Sequence, residues 1–283
     1  MANESIQKNT ICGKLVSIEN REGVTKNGDE YIGGNIHIET APDNVIPVSF
    51  FATKNKKDKS PNPVYASLQT VIKEYKSIAT SGRPDADMIE VGSVRLTENS
   101  FYIRDGQLIR GFQFQAPFFN RKAEVSPTGE FNIVGEIVKV TEDIEDDVPT
   151  GTLTVTLLVV TYGSTANLID FQIEGEKAVN YVNTSFTPGM EVKLTGDILV
   201  TETFEKKVEE AAFGPDIVEE VRKTKRALLV RSTTPPVDSK ISEEERQTML
   251  AERESKLQNM KQDFLAKQKG GGNKAKGAAN FSL

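Results

Sequence analysis

The chain has 283 residues, 37% of them apolar, enough length and core material for about two domains of ordinary size. Its 35 basic and 41 acidic side chains leave a net charge of −6, which excludes a uniformly basic polyanion binder but not a local basic groove. The charge is uneven: residues 1–124 carry net +1, 125–236 net −9 and 237–283 net +2. The first third and the C-terminal segment are therefore the better candidates to face a polyanion.

Cys12 is the only cysteine, so no internal disulfide forms, as expected for a reducing cytoplasm. The opening MANESIQKNT lacks the apolar core of a signal peptide. The longest apolar run, Leu157-Leu158-Val159-Val160, falls far short of the about 20 residues of a membrane span. A cytoplasmic protein without membrane contact is expected.

Thr10 to Glu19 is β-branched and apolar and reads as a strand, with Gly13 at a possible bend. Lys26-Asn27-Gly28-Asp29 is a turn. Tyr31 to Thr40 alternates, with Ile32, Gly34, Ile36 and Ile38 on one face and Gly33, Asn35, His37 and Glu39 on the other. Asn44 to Thr53 is a third strand, followed by a Lys-rich loop closed by Pro61 and Pro63. Val64 to Ile78 takes helical spacing through Leu68, Val71, Ile72 and Tyr75. Ser93 to Ile103 and Leu108 to Phe118 form a fourth and fifth strand around an Asp105-Gly106 turn. This order, β-β-β-α-β-β, is the layout of an oligonucleotide/oligosaccharide-binding (OB) barrel.

The pattern repeats. Ile11-Cys12-Gly13-Lys14-Leu15-Val16-Ser17-Ile18 matches Ile133-Val134-Gly135-Glu136-Ile137-Val138-Lys139-Val140 in its apolar positions and glycine. Val94-Arg95-Leu96-Thr97 matches Val192-Lys193-Leu194-Thr195 in the same order. The second copy predicts strands near 131–141, 151–162, 166–174, 190–202 and 225–232. It also predicts a helix over Glu176 to Ser185 and an insertion over 203–224. Thr233-Thr234-Pro235-Pro236 ends it. Ser242 and Glu245 form a capping box for a helix to about Gln268, whose Leu250, Leu257 and Phe264 are seven apart. The fold class is therefore mostly β: two tandem OB-like five-stranded barrels (1–124 and 125–236), a C-terminal helix (237–269) and a disordered tail (270–283).

Little in the chain supports catalysis. One Cys and one His do not make a zinc site, and a triad would have to use His37, in mid-strand. No phosphate-binding G-x-x-x-x-G-K-[ST] loop is present. The acidic run Glu142 to Asp147 lacks the glycine and glutamate of a calcium loop and reads as a solvated hairpin. Pro215-Asp216 with Glu219 and Glu220 is too tightly spaced for a two-metal centre. No cofactor, metal or enzymatic activity is expected.

A nonspecific single-strand binder needs cations to track phosphates and flat side chains for bases to stack on. The first barrel offers Lys54, Lys56, Lys57 and Lys59 in one loop, Lys14 and Arg21 on the first strand, and Lys26 in the first turn. Arg95, Arg104 and Arg110 lie on or beside the last two strands. Phe50 and Phe51 are adjacent and point to opposite faces, so one of them is exposed unless covered, and Phe51 is taken as a candidate. Tyr31 and Tyr102 are further stacking candidates, because a phenol tolerates water. Phe112 and Phe114 share a parity with Arg110 and either line a binding face or fill the core. The lysine loop is either a phosphate tracker or simply a soluble loop.

Over residues 1–236 this architecture, with its basic loop beside aromatics and its flexible tail, resembles phage-type single-stranded-DNA-binding proteins. The resemblance implies a single-stranded DNA partner, coated during replication or recombination without catalysis. Such proteins often recruit replication partners through an acidic tail with a terminal aromatic. This tail departs from that in being basic (Lys267, Lys269, Lys274, Lys276), while Phe281 and Leu283 are apolar. Alternatives are a virion or assembly component, self-associating through the 241–268 helix, and a host-directed regulator acting through the acidic second barrel.

Overall fold

A computed structural model describes residues 4–103, 106–145, 147–209 and 217–270, and the chain is mostly β. Three long antiparallel strands open it: β1 (Thr10–Val24), β2 (Glu30–Ala41) and β3 (Asn44–Thr53). Ile32, Ile36 and Ile38 turn inward and are fully buried, as their alternation predicts. α1 (Pro63–Glu74) begins where the Asn62 side chain accepts from the Val64 N–H, with proline in the first turn, and it buries Leu68 and Val71. It stops short of the predicted Ile78. Tyr75 takes extended backbone and donates its hydroxyl to the Phe119 carbonyl, and Ser77 caps a separate short helix, α2 (Ile78–Ser81).

The predicted fourth and fifth strands are each broken. The fourth becomes β4 (Met88–Gly92), β5 (Arg95–Glu98) and β6 (Phe101–Tyr102). The fifth becomes β7 (Leu108–Ile109), β8 (Phe112–Gln115) and β9 (Phe118–Lys122). Ser93, at φ 57°, turns the chain between β4 and β5. The break lets β4 pair with β1 and β9 while β5 pairs with β8. Since β3 runs parallel to β8, the sheet closes on itself in the order one-two-three-five-four-one. Phe112 and Phe114 lie in the core, packed edge to face with centroids 5.7 Å apart.

The second barrel repeats this closure with β10 (Thr128–Glu145), β11 (Val148–Thr161), β12 (Thr165–Ile173), α3 (Glu176–Ser185), β13 (Met190–Glu209) and β14 (Ile217–Thr233). β12 meets β14 in parallel at Gln172 and Leu229, and β13 returns to β10. The internal repeat reaches the backbone. The pairing shifts by one residue between Leu15 and Ser17 in the first barrel and between Ile137 and Lys139 in the second. The predicted strand ends are corrected: across the 203–224 insertion β13 and β14 continue as a paired ribbon, through Glu209 and from Ile217, with 210–216 outside the described residues.

The barrels are joined directly. β1 pairs with β10, and Thr201 of β13 pairs with Asn44. The buried Asn44 amide donates to the Ile198 carbonyl at 2.8 Å and accepts from the Val200 N–H at 2.7 Å. One apolar core runs through both barrels, with Phe114, Phe131 and Phe171 fully buried; each contributes about 1.5–3 kcal/mol. At Gly13 a Cβ would lie 2.0 Å from the Glu39 carbonyl oxygen, so β1 approaches β2 as only glycine allows. Gly13→Ala is expected to destabilise the protein by about 1–3 kcal/mol in denaturant unfolding, because backbone rather than a side chain must move.

After β15 (Val237–Asp238), which pairs with β13, comes α4 (Glu243–Gly270). Its start carries the expected capping box: the Glu245 N–H donates to the Ser242 hydroxyl oxygen, and the Ser242 N–H donates to the Glu245 carboxylate. Residues 271–283, most of the predicted tail, lie outside the described residues. Among the described residues no helix is long and apolar enough to cross a membrane.

Candidate nucleic-acid interface

The outward face of the first barrel follows from strand pairing. Arg21, Gly33 and Phe51 are Cα partners across β1, β2 and β3, and Gly23, Tyr31 and Thr53 form the next row. Phe51 is 59% exposed, and the Tyr31 ring lies 5.3 Å from it, tilted by 32°. Phe50, its neighbour, faces the core against Phe119. The glycines make room for the rings. A Cβ at Gly23 would meet the Tyr31 ring at 2.9 Å, and one at Gly33 the Phe51 ring at 3.2 Å. The result is two flat side chains lying over the strands, Phe51 open to solvent and Tyr31 half-buried beside it.

The row Asn35–Ser49–Gln115–Arg95 runs beside these rings on the same face, because β3 pairs with β8 and β8 with β5. Arg95 and Gln115 are exposed. Two strand spacings, about 10 Å, separate Arg95 from β3, within one or two nucleotides of a strand crossing the face.

The lysine loop folds onto the tip of the β1–β2 hairpin. Asp29 closes that turn by donating its N–H to the Thr25 hydroxyl oxygen. Lys54 pairs with Glu30 at 2.8 Å and Lys59 with Asp29 at 3.0 Å. The hydrogen bond to Glu30 holds the Lys54 ammonium above its ordinary value. Lys56 and Lys57 are exposed and have no ion-pair partner among the described residues. Lys26 is exposed in the same turn.

The structure thus gathers Arg21, Lys26, Tyr31, Phe51, Lys54, Lys56, Lys57 and Lys59 at one end of one face, with Arg95 across it. Others lie elsewhere. Lys14 sits at the opposite end of β1, about 23 Å from Arg21 by strand rise, and donates to the Arg83 carbonyl. Tyr102 faces α4, its ring 6.4 Å from that of Phe264 and 6.0 Å from the Lys261 ammonium. Arg110 turns to the second barrel and pairs with Asp170 at 2.8 Å. Arg104 lies outside the described residues. Sequence reasoning did not single out Gly23, Gly33, Asn35, Ser49 and Gln115. A glycine opposite an aromatic on the outward parity was the available signal.

The equivalent face of the second barrel is covered. Leu158, Val160 and Ala166 pack under Met249 of α4, with Leu168, Ile241 and Leu250 beside them. Arg246 makes a two-pronged contact with the buried Glu136, and Arg253 makes another with Glu98 at 2.6 and 2.7 Å. The apolar stripe that the alternative reading offered for self-association is engaged within the chain: Leu257 is buried and Phe264 meets Tyr102.

Fold and faces together define a tandem OB-barrel protein with one open, ring-bearing face and one face closed by its own helix. The chain belongs to the YorF family, whose model matches residues 6–263. No curated protein matches it. Its fold is similar to the crystal structure of the wild-type single-stranded DNA binding protein from Thermus aquaticus. The TM-score is 0.51 at 10% identity, over 85% of this chain and 97% of that one. A deletion mutant of the same Thermus aquaticus protein gives a TM-score of 0.49 at 11% identity, over 85% and 98%.

Because Lys54 and Lys59 already hold carboxylates, Lys56 and Lys57 are the better phosphate contacts. Replacing both with serine is expected to flatten the plot of log affinity for oligo-dT against log salt by about 1.4, at about 0.7 per contact. Replacing Lys54 and Lys59 is expected to change it less. The check is fluorescence anisotropy over a salt series.

Proposed function

We propose that this protein binds single-stranded DNA on the open face of its first barrel. Bases stack on Tyr31 and Phe51. Arg21, Arg95 and the lysines of the hairpin tip track the phosphates. The observation that carries this reading is the exposed Phe51 ring beside the half-buried Tyr31 ring, set over glycines on the outward face of β1–β3 with cations around it. That face is the one OB folds use for oligonucleotides. The shared fold with the Thermus aquaticus protein, which binds single-stranded DNA, supports the same reading. The protein acts by coating exposed strands in phage-type replication or recombination, in the cytoplasm and without catalysis.

The test is a titration of labelled oligo-dT at low and high salt, beside a duplex of equal length. The protein is expected to bind the single strand, to prefer it to the duplex and to lose affinity steeply with salt. An oligo-dT that stays unbound at low salt contradicts the proposal.

A further inference from the structure

A second site lies at the junction of the barrels, away from the ring-bearing face. A cavity of about 440 Å³ opens beside the short meeting of β12 and β14, lined on one side by Asn99, Phe101 and residues 109–112 of the first barrel. Its size is within the range of small-molecule pockets. Two guanidiniums enter it. Arg110 uses one terminal nitrogen on Asp170, which also accepts from the Thr156 hydroxyl; the Arg110 Nε is buried with no hydrogen-bond partner. The Arg226 side chain makes no hydrogen bond or ion pair to the described residues, and its Nε is also buried without an acceptor. Its guanidinium lies over the face of Phe112, 5.3 Å from the ring centroid. Burial holds the Arg226 guanidinium below its ordinary value.

A guanidinium always carries its charge, and both of these are only partly exposed, so a missing counter-ion is costly in proportion to the water they have lost. Asp170 answers only one of the two arginines here. The cavity is thus one negative charge short, and the terminal N–H groups of Arg226, with the Arg110 terminal nitrogen that Asp170 does not engage, are the donors that an oxyanion accepts from, often in a fork. The remaining lining gives the ligand a second part. Phe101 and Phe112 offer apolar ring surface, and Asn99 and Gln172 offer amides that donate and accept. A phosphate beside a planar, hydrogen-bonding base meets both halves.

We propose that the cavity binds a nucleotide phosphate, held by Arg110 and Arg226, with the attached base against Phe101 and Phe112. The phosphate is that of a free mononucleotide or one from a bound strand; the chemistry of the site is the same. The site stands apart from the ring-bearing face, and its evidence does not depend on that face binding DNA.

The test uses the full chain and thymidine 5′-monophosphate, with thymidine and inorganic phosphate as controls, by calorimetry. The monophosphate is expected to bind at least about tenfold more tightly than thymidine, and inorganic phosphate to compete with it. Arg226→Met and Arg110→Gln are each expected to weaken the monophosphate by about tenfold or more. Thymidine binding as well as its monophosphate, or a monophosphate affinity indifferent to both variants, overturns the proposal. Should either variant fail to fold, the wild-type comparison of thymidine with its monophosphate decides alone. Displacement of the monophosphate by oligo-dT assigns the site to a strand phosphate, and undisturbed co-binding assigns it to a free nucleotide. Monophosphate binding without oligo-dT binding overturns the proposed function and keeps this site; the reverse keeps the function and removes the site.

Discussion

Phe51→Ala and Tyr31→Ala are each expected to weaken oligo-dT binding by about 1–3 kcal/mol, roughly fivefold to 150-fold, the worth of one base–aromatic stack. The two rings touch each other, so the double variant is expected to lose less than the sum of the singles. Phe51 is 59% exposed, and its loss is expected to move stability by no more than about 0.5 kcal/mol. Affinity and stability therefore separate, with anisotropy reading one and denaturant unfolding the other. Tyr102→Ala is expected to leave affinity nearly unchanged, since that ring packs on Phe264 and Lys261.

The largest effect on stability is expected at the Glu98–Arg253 pair. Glu98 lies in the first barrel and accepts from the Leu168 N–H of the second, from the Ser100 hydroxyl and from both prongs of Arg253. Its side chain is 10% exposed and that of Arg253 13%. Arg253→Ala leaves the carboxylate buried without its main partner and is expected to cost about 3–5 kcal/mol, read by denaturant unfolding. Hydrogen exchange is expected to rise first in α4 and along Leu158 to Val160, which that helix covers. Burial alone would push the Glu98 carboxyl up. The Arg253, Ser100 and Leu168 donors outweigh it and hold the group below the ordinary glutamate range. A depressed folded value means the pair's stabilisation is full above the ordinary glutamate value. It is lost as pH falls through the lower, folded value. Arg253→Ala is expected to remove that part of the acid sensitivity, visible as a flatter stability profile at acid pH.

Local pattern carried much of the fold. β3 spans Asn44–Thr53 and α3 spans Glu176–Ser185, as read from alternation and helical spacing. The glycine-marked repeat located both first strands, because close strand approach leaves a mark in one-dimensional order. The strand character of the 203–224 insertion was missed because its sequence interleaves charged residues with few apolar ones and offers no apolar alternation to detect. The misplaced site residues have another cause. Tyr102 lies on β6 and Arg110 in the break between β7 and β8, and what covers them arrives from far along the chain, as Phe264 and Asp170. One signal was present. Leu157 to Val160 is apolar on both parities, as in a strand covered on both faces. Leu157 fills the barrel and Leu158 meets α4, so that run announced a helix over the second barrel's outward face.

The asymmetry between the barrels is tested most directly by photo-crosslinking oligo-dT to the intact protein and mapping the attached residues by mass spectrometry. Crosslinks concentrated on Tyr31, Phe51 and the adjoining strands β2 and β3 are the expected result. Crosslinks concentrated on the α4-covered face of β11 and β12, with the first barrel unmarked, contradict the account.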